Sequence, residues 1–480
     1  MYFDVDIDGV SSGSIMYKYL LNHGVKNIEY KINTGKEHGI QNVSPEEFNN
    51  VDILIIVDSL DLDYTLYDNI HSKGVAIVVL DHHDFETYPD NAILVSSAKN
   101  YENPELSGAG VVWKFCAYLD SIFKTNYAKH YIDLAACGIL ADVCDMSENS
   151  MENRYLVNLG LNNLQNKGIK TILESYSFDY KSIAWSIAPL VNAANRTGNN
   201  ELSIELFLCE DNKRLKQIVK QLRAIKDKQD EIVAESYNLL ELQIKQYIKP
   251  ESKVIFGYVN ELEYAGLIAN KISSKYQKPT IIFHTIENEN RELKGSIRGF
   301  GVDNFKDDIT NTGLAICAGH PNAAGITIKV VDINKLFLAL NKLYESKEFK
   351  ITHDIDIKLE YNQINEYLIN EIVKINRSAG ANFKPVTVCL TDIEVMNLST
   401  MKDKRTLKSK HTTFNYYDIT FIKWNDTKLY DELKCDNCNY TTVNVVGELQ
   451  ISKFAGRKQI QFIISDYCNV NKFPDFLKND

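Results

Sequence analysis

Val75-Ala76-Ile77-Val78-Val79-Leu80-Asp81-His82-His83 runs from an almost unbroken apolar string straight into one acid and two imidazoles. So short an aliphatic and β-branched run reads as a strand buried on both faces of a parallel sheet. Val51–Val57 has the same character and ends at Asp58. Further upstream, Asp4-Val5-Asp6-Ile7-Asp8-Gly9 reads as the end of a very short first strand, and Ser11–His23 carries Ile15, Tyr19 and Leu20 at helical spacing. Strands alternating with helical stretches predict an α/β lobe with a doubly wound parallel sheet. In such sheets ligands gather beyond the carboxyl ends of the strands. There the sequence puts Asp6 and Asp8, then Asp58, then Asp81-His82-His83.

Working outward, Tyr131–Val143 and Glu152–Leu164 are helical in pattern, and Leu202–Tyr247 reads as a long helix interrupted at most once. Val254–Tyr258, a helix over Ala265–Tyr276 and Thr280–Phe283 restart a β–α–β alternation that runs to about Tyr344. Beyond Lys350 strands dominate: Val386–Val395, Phe414–Lys423, Val443–Leu449 and Ile460–Ile464, with a turn at Ala455-Gly456. That spacing predicts a small β-barrel of the oligonucleotide-binding type. The expected domains are residues 1–200, an α/β catalytic lobe; 201–250, a connector helix; 251–348, a second α/β lobe; and 349–480, the OB-like domain.

Composition narrows the function classes. With 53 basic and 64 acidic residues in 480, the net charge of −11 argues against indiscriminate coating of nucleic acid. The longest apolar runs are strand-length, so no membrane span is expected. Met-Tyr-Phe-Asp at the start has neither the basic flank nor the apolar stretch of a secretory signal, which makes the cytoplasm the expected compartment. Nine scattered cysteines, an odd number, read as reduced thiols.

The chemistry-bearing residues share one theme. Divalent ions that activate water favour hard oxygen donors and neutral imidazole. On an extended strand end, Asp4, Asp6 and Asp8 alternate and would share a face, with Gly9 permitting the turn into the next helix. Adjacent histidines at a buried strand's end, in a chain with ten histidines, point to a ligand role. Asp142 is an acid within the apolar stretch Gly138–Val143, where a buried carboxylate is costly unless paired with charge or metal.

These residues resemble the motifs of the DHH phosphoesterase superfamily, and within it those of the RecJ single-strand-specific exonucleases. Asp4–Gly9, Val57-Asp58, Asp81-His82-His83 and Ala141-Asp142-Val143 fall in the family's order. Leu106-Ser107-Gly108-Ala109-Gly110-Val111, Asn153-Arg154 and Val191-Asn192-Ala193-Ala194 with Arg196-Thr197-Gly198 match its surrounding words. Gly295-Ser296-Ile297-Arg298 and Ala318-Gly319-His320 through Gly325 resemble the loops of a DHH-associated domain, and Val443–Asp466 resembles the end of the RecJ OB domain.

The resemblance implies two Mn2+ ions, with Mg2+ as the alternative. Asp6 and Asp58 would hold one; Asp8, Asp58, His82 and Asp142 the other; Asp58 is the bridge and Asp4 completes the set. His83 would meet the scissile phosphate or the metal site, and Asp81 would fix an imidazole from behind. Asn192, Arg196, Arg298 and His320 would contact the strand. The family's His four residues before the Asp-x-Asp pair is Tyr2 here, so Asp4 must substitute; the first strand is nearly missing, so either the sheet tolerates a stub or the true start lies upstream; and Ala318 replaces a Gly, which matters where φ must be positive.

Lys404, Arg405 and Lys408, with Lys402 and Lys410, form a basic loop between barrel strands where phosphate contact is mechanically sensible. Cys435 and Cys438 have half the spacing of a zinc knuckle, and no zinc is assigned. The implied activity is metal-dependent hydrolysis of single-stranded DNA, 5′ to 3′, to 5′-mononucleotides, in DNA repair and recombination. A single-strand-binding protein or a helicase is the implied kind of partner. Two alternatives stay open: a DHH phosphodiesterase for short oligonucleotides or cyclic dinucleotides, and a catalytically silent replication scaffold.

Overall fold

The computed structural model describes the chain except residues 33–38, 41–42, 62–63, 287–290, 403–408, 435–440, 455–456 and 470–480. It divides into two compact units: residues 1–222 with 353–480, and residues 223–352, inserted between them in sequence.

In the first unit, strands β1 (Tyr2–Phe3), β2 (Lys31–Ile32), β3 (Ile53–Val57), β4 (Ala76–Asp81) and β5 (Ile93–Ser96) form a wholly parallel sheet in the order β2-β1-β3-β4-β5. The period of two sorts the side chains. Phe3, Val57 and Leu80 enter a core with α1 (Ile7–Asn22), α3 (Gly108–Phe123), α4 (Ile132–Ala141) and α5 (Met151–Asn162). Tyr2, Leu54, Ile56, Ile77 and Val79 enter another with Tyr67 and Ile70 of α2 (Tyr64–His71). The sheet is therefore covered on both faces, as its continuous apolar runs require. Strand order reverses at β1, so the gap beyond β1 and β3 is the topological switch point.

The stub strand is tolerated because Tyr2 and Phe3 pair with Ile56 and Val57 on one side and with Lys31 and Ile32 on the other. The expectation of one extended run through Asp8 is corrected. The strand stops at Phe3 and α1 begins at Ile7, four residues before the expected Ser11. Asp6 caps that helix, its carboxylate accepting from Gly9 N at 3.0 Å, and Ile7 and Val10 are buried at helical spacing. Asp8 thus sits in the first helical turn.

The long helical stretch is broken once, into Asn200–Leu208 and Asn212–Tyr247. In the inserted unit, β6 (Ile255–Val259) and β7 (Thr280–His284) are parallel across a helix at Ala265–Tyr276. The expected alternation stops there. Strands β8 (Glu292–Arg298), β9 (Ala315–His320) and β10 (Ala323–Lys329) join antiparallel in the order β6-β7-β8-β10-β9, because a tight turn at Pro321-Asn322 folds β10 back on β9.

The C-terminal segment forms a seven-stranded sheet from β11 (Ile357–Leu359), β12 (Val388–Glu394), β13 (Met396–Lys402), β14 (Ser409–Tyr416), β15 (Ile419–Lys423), β16 (Thr442–Phe454) and β17 (Arg457–Asn469). Its order is β11-β12-β16-β17-β15-β14-β13. Phe414–Lys423, expected as one strand, is a hairpin: Tyr417 takes φ 48° and Phe414 stacks on Phe421 across it. The expected turn at Ala455-Gly456 lies outside the described residues. No helix among the described residues is long and apolar enough to cross a membrane.

Candidate metal centre

The carboxyl ends of β1, β3 and β4 meet the N-terminus of α3 and the C-terminus of α4. Asp8 is buried, and its carboxylate accepts from Gly108 N at 2.7 Å and Ala109 N at 3.0 Å, the two leading amides of α3. This is why the chain needs Ser107-Gly108-Ala109: Ser107 caps the helix, and a Cβ on residue 108 would strike the Asp58 carboxylate. On α4, a Cβ on Gly138 would strike Asp8 in the same way.

Asp58 follows β3 in the left-handed region, φ 55°, with its amide bonded to Leu80 O at 2.9 Å. Its Oδ1 is buried, has no hydrogen-bond donor among the described residues, and lies 3.2 Å from His82 Nε2. That same nitrogen is 3.8 Å from Asp8 Oδ2 and 3.8 Å from Asp142 Oδ2. Burial pushes the Asp58 carboxyl well above the ordinary range, and the carboxylates of Asp8, Asp6, Asp81 and Asp4 push it further. Asp8 is raised chiefly by burial as well, against the pull of His82. A buried carboxylate oxygen without a donor, crowded by like charges and facing an imidazole nitrogen, is the environment a divalent cation resolves.

The donors fall into groups whose ligand atoms lie within 4.8 Å of one another: Asp4, Asp6 and Asp58; Asp8, His82 and Asp142; and Asp58 with Asp81, His82 and His83. Asp58 is shared between the first and third. In the third, Asp81 is already committed. Its Oδ1 accepts from His82 N at 2.6 Å, His83 N at 2.9 Å and His83 Nδ1 at 2.7 Å, while Oδ2 accepts from Leu60 N. Burial alone would raise Asp81, but the His83 bonds outweigh it and hold the carboxyl at about 2. The same contact overcomes the burial of His83 and raises its imidazole to about 9. Asp81 therefore orients His83, while His82 is left to the other acids.

Other expected contacts are placed less centrally. Asn192 and Arg196 lie on the helix Ala188–Arg196, with Arg196 Nη1 3.3 Å from Asn192 O. The sequence reading missed their neighbour Asn195. Its amide donates to Val5 O, between Asp4 and Asp6, and its oxygen accepts from Ser203 Oγ at 3.1 Å. The signal was present in the repeated asparagines of 192–195, but nothing local distinguishes the one that braces another segment.

In the inserted unit, Arg298 and His320 both pair with Ala323, from β8 and β9 on either side of β10. Cross-strand partners share a face, so the two side chains project from one side of that sheet with the small Ala323 between them. Gly319 takes φ +123°, whereas Ala318 keeps an ordinary backbone, so the Gly-to-Ala departure costs nothing here. Lys404, Arg405, Lys408, Cys435 and Cys438 lie outside the described residues; Lys402 and Lys410, which flank the basic loop, are exposed.

The family model for the DHH family, N-terminal domain, matches residues 1–139, and that for the RecJ OB domain matches residues 355–466. The chain is thus similar to the DHH family over its first lobe and to the RecJ OB domain near its C-terminal end. It is 29% identical over 505 residues to YorK of Bacillus subtilis, an SPbeta prophage-derived protein whose name assigns it single-strand DNA-specific exonuclease activity; the match covers 96% of this chain and 85% of YorK. It is 22% identical to the single-stranded-DNA-specific exonuclease RecJ of Bacillus subtilis over 97% of this chain and 60% of that protein. The fold is that of Thermus thermophilus RecJ. The structure of that protein with Mn2+ gives a TM-score of 0.74 at 19% identity over 97% of this chain and 68% of the other, and the one with Mg2+ gives 0.67 at 18% over 97% and 66%.

Proposed function

We propose that this protein is a metal-dependent exonuclease of the DHH family acting on single-stranded DNA, 5′ to 3′, and releasing 5′-mononucleotides during DNA repair and recombination. The observation that carries the proposal is the buried, donor-free Asp58 Oδ1 between two groups of acids at the sheet's switch point. Two Mn2+ ions would be held here, one by Asp4, Asp6 and Asp58, the other by Asp8, Asp58, His82 and Asp142, with Mg2+ as the alternative ion. When bound, such a pair supplies an activated water and neutralises the charge that develops at phosphorus.

The chain's own groups do the rest. The α3 amides hold Asp8 in one orientation. Asp81 holds the His83 imidazole through Nδ1 and favours its protonated form, which would suit a phosphate oxygen. Arg196, Arg298 and His320, with Asn192, take phosphates of the strand, and the basic loop Lys404, Arg405 and Lys408 takes phosphates further along it. YorK and RecJ, whose names carry this activity, and the RecJ OB domain support the same reading. The cytoplasm is where it meets its substrate, and a single-strand-binding protein or a helicase would present the strand.

End-labelled single-stranded DNA, with and without Mn2+, tests it by product size against time. Mononucleotides from the first time point, dependent on Mn2+, are expected. Cleavage confined to very short oligonucleotides or cyclic dinucleotides would transfer the chain to the phosphodiesterases, and no cleavage with bound metal would make it a scaffold.

A further inference from the structure

We infer that a turn of the C-terminal sheet domain, residues 380–383, positions the metal centre by fixing the loop that carries Asp142, with Asn382 as the positioning residue. This rests on reading the acidic cluster as a metal centre, and both segments lie in the same compact unit.

Helix α4 ends at Asp142, whose amide bonds to Gly138 O at 2.9 Å. The next residue, Val143, is β-branched yet takes φ 59°, and its side chain is 68% exposed. A β-branched residue in the left-handed region is an outlier that persists only where the surroundings hold it, and an exposed side chain supplies no packing to do so. The hold comes from the residues that follow. Cys144 N bonds back to Ile139 O at 3.2 Å, and Met146 N donates to Ala381 O at 2.9 Å. Asp145 Oδ1 accepts from Asn382 Nδ2 at 2.8 Å, and Asp145 O accepts from Asn153 Nδ2 at 2.9 Å.

The turn is itself rigid. Gly380 and Phe383 exchange both backbone hydrogen bonds, at 3.0 and 3.2 Å. A Cβ on Gly380 would come within 2.8 Å of Met146 Cγ and 3.2 Å of Leu140 Cδ2, so the turn lies directly against the last turn of α4. Arg154 closes the arrangement: it donates to Met146 O at 3.0 and 2.7 Å while its guanidinium lies 3.9 Å from the centre of the Phe383 ring.

Simple docking of the C-terminal domain does not require these bonds. Arg377 donates to Leu161 O and to Asn162 Oδ1 at 2.6 Å, and Lys181 Nζ pairs with Glu448 Oε2 at 2.7 Å, all away from the Asp142 loop. None of Ala381, Asn382 and Phe383 belongs to a ligand group among the described residues. What they add is a fixed backbone beside a ligand, and partners that orient ligands typically carry about 10–100-fold in metal affinity.

The test is Asn382→Gly in the full chain. Asn382 has φ 56°, which glycine adopts freely, so only the amide is lost. Mn2+ affinity, read by electron paramagnetic resonance, should weaken about tenfold, and kcat should fall while the Kd for an oligo-dT strand moves less than about twofold. Lys181→Ala, which cuts a docking bond elsewhere, should leave Mn2+ binding as it was. Wild-type Mn2+ affinity in Asn382→Gly overturns the inference. So does an equal loss in Lys181→Ala, which would make domain docking the cause. Should Asn382→Gly fail to fold, Asn382→Ser carries the same Mn2+ reading. A wild-type chain that binds Mn2+ but leaves single strands intact would end the exonuclease reading, while a Mn2+ defect confined to Asn382→Gly would still support this one.

Discussion

His82 Nε2 and Asp58 Oδ1 face each other at 3.2 Å, in a buried position where the carboxylate oxygen has no hydrogen-bond donor among the described residues. Adjacent in sequence, His82 and His83 have been given different tasks: one imidazole turned to the acids, the other tied back to Asp81.

Asp58→Asn should therefore act with opposite signs on activity and stability. Hydrolysis should fall about 100–1000-fold, the scale of losing one preorganised electrostatic partner. The metal-free protein should melt about 2–4 °C higher, because a crowded buried charge has gone. Calorimetry in chelator alongside turnover in Mn2+ checks both; a lower melting point would contradict the crowding argument.

Gly138→Ala tests the same centre from its rear wall. The new methyl meets Asp8 Oδ1, so Mn2+ affinity should drop, with overpacking costing about 1–3 kcal/mol in stability. Isothermal titration with Mn2+ reads the first and denaturant unfolding the second. Undisturbed Mn2+ binding would show that Asp8 can move without consequence.

His320→Ala should separate strand from metal. His320 is exposed at the end of β9, in the unit that contributes no residue to the ligand groups among the described residues. Loss of one charge-assisted phosphate bond, about 1.5–3 kcal/mol, predicts a rate roughly 10–100-fold lower. Bound Mn2+ should stay unchanged, and its disappearance would make His320 structural to the centre.

Neutralising Lys404, Arg405 and Lys408 together should weaken binding to all sequences alike. The salt slope for single strands should become shallower by about 0.7 for each phosphate that is no longer neutralised. Fluorescence anisotropy of a labelled strand across a salt series gives the slope, and an unaltered one would leave the loop a solvated surface.

Acid stability should report the bonds that Ser147 and Asn382 give to Asp145. Burial would raise this carboxyl, but bonds from Ser147 and Asn382 outweigh it and bring it to about 2 from 3.8. A depressed carboxyl contributes stability that is present above its unfolded value and lost as pH falls through its folded one. The difference between the wild type and Asp145→Asn should thus be constant above about pH 4 and shrink toward pH 2. Circular-dichroism melts of the metal-free proteins across that range would show it, and a difference that grows on acidification would reverse the assignment.

The sheet was legible because Val51–Val57 and Val75–Leu80 are continuous apolar strings, and buried parallel strands leave that mark. The acids at their ends were legible for the same topological reason. What could not be read was which way each acid points. Asp4, Asp6 and Asp8 look like an alternating strand end, yet Asp6 caps α1 and Asp8 is held by amides a hundred residues away. Periodicity reports burial along one segment, and these positions are fixed by others. Asn195 and Asn382 escaped notice for that reason: each braces a ligand-bearing segment remote in sequence. The antiparallel strands β8, β9 and β10 were mistaken because short apolar runs do not declare their direction.

Asp145 and Asn382 are 237 residues apart, and the whole of residues 223–352 is made between them. At roughly 5–20 residues per second, a ribosome delivers Asn382 on the order of 10–50 s after Asp145. The acids of the candidate metal centre emerge early, while the turn that bonds to their loop arrives only after the inserted unit has been made. On the nascent chain Asp145 therefore waits without this partner, and the closing of that bond is timed by translation itself.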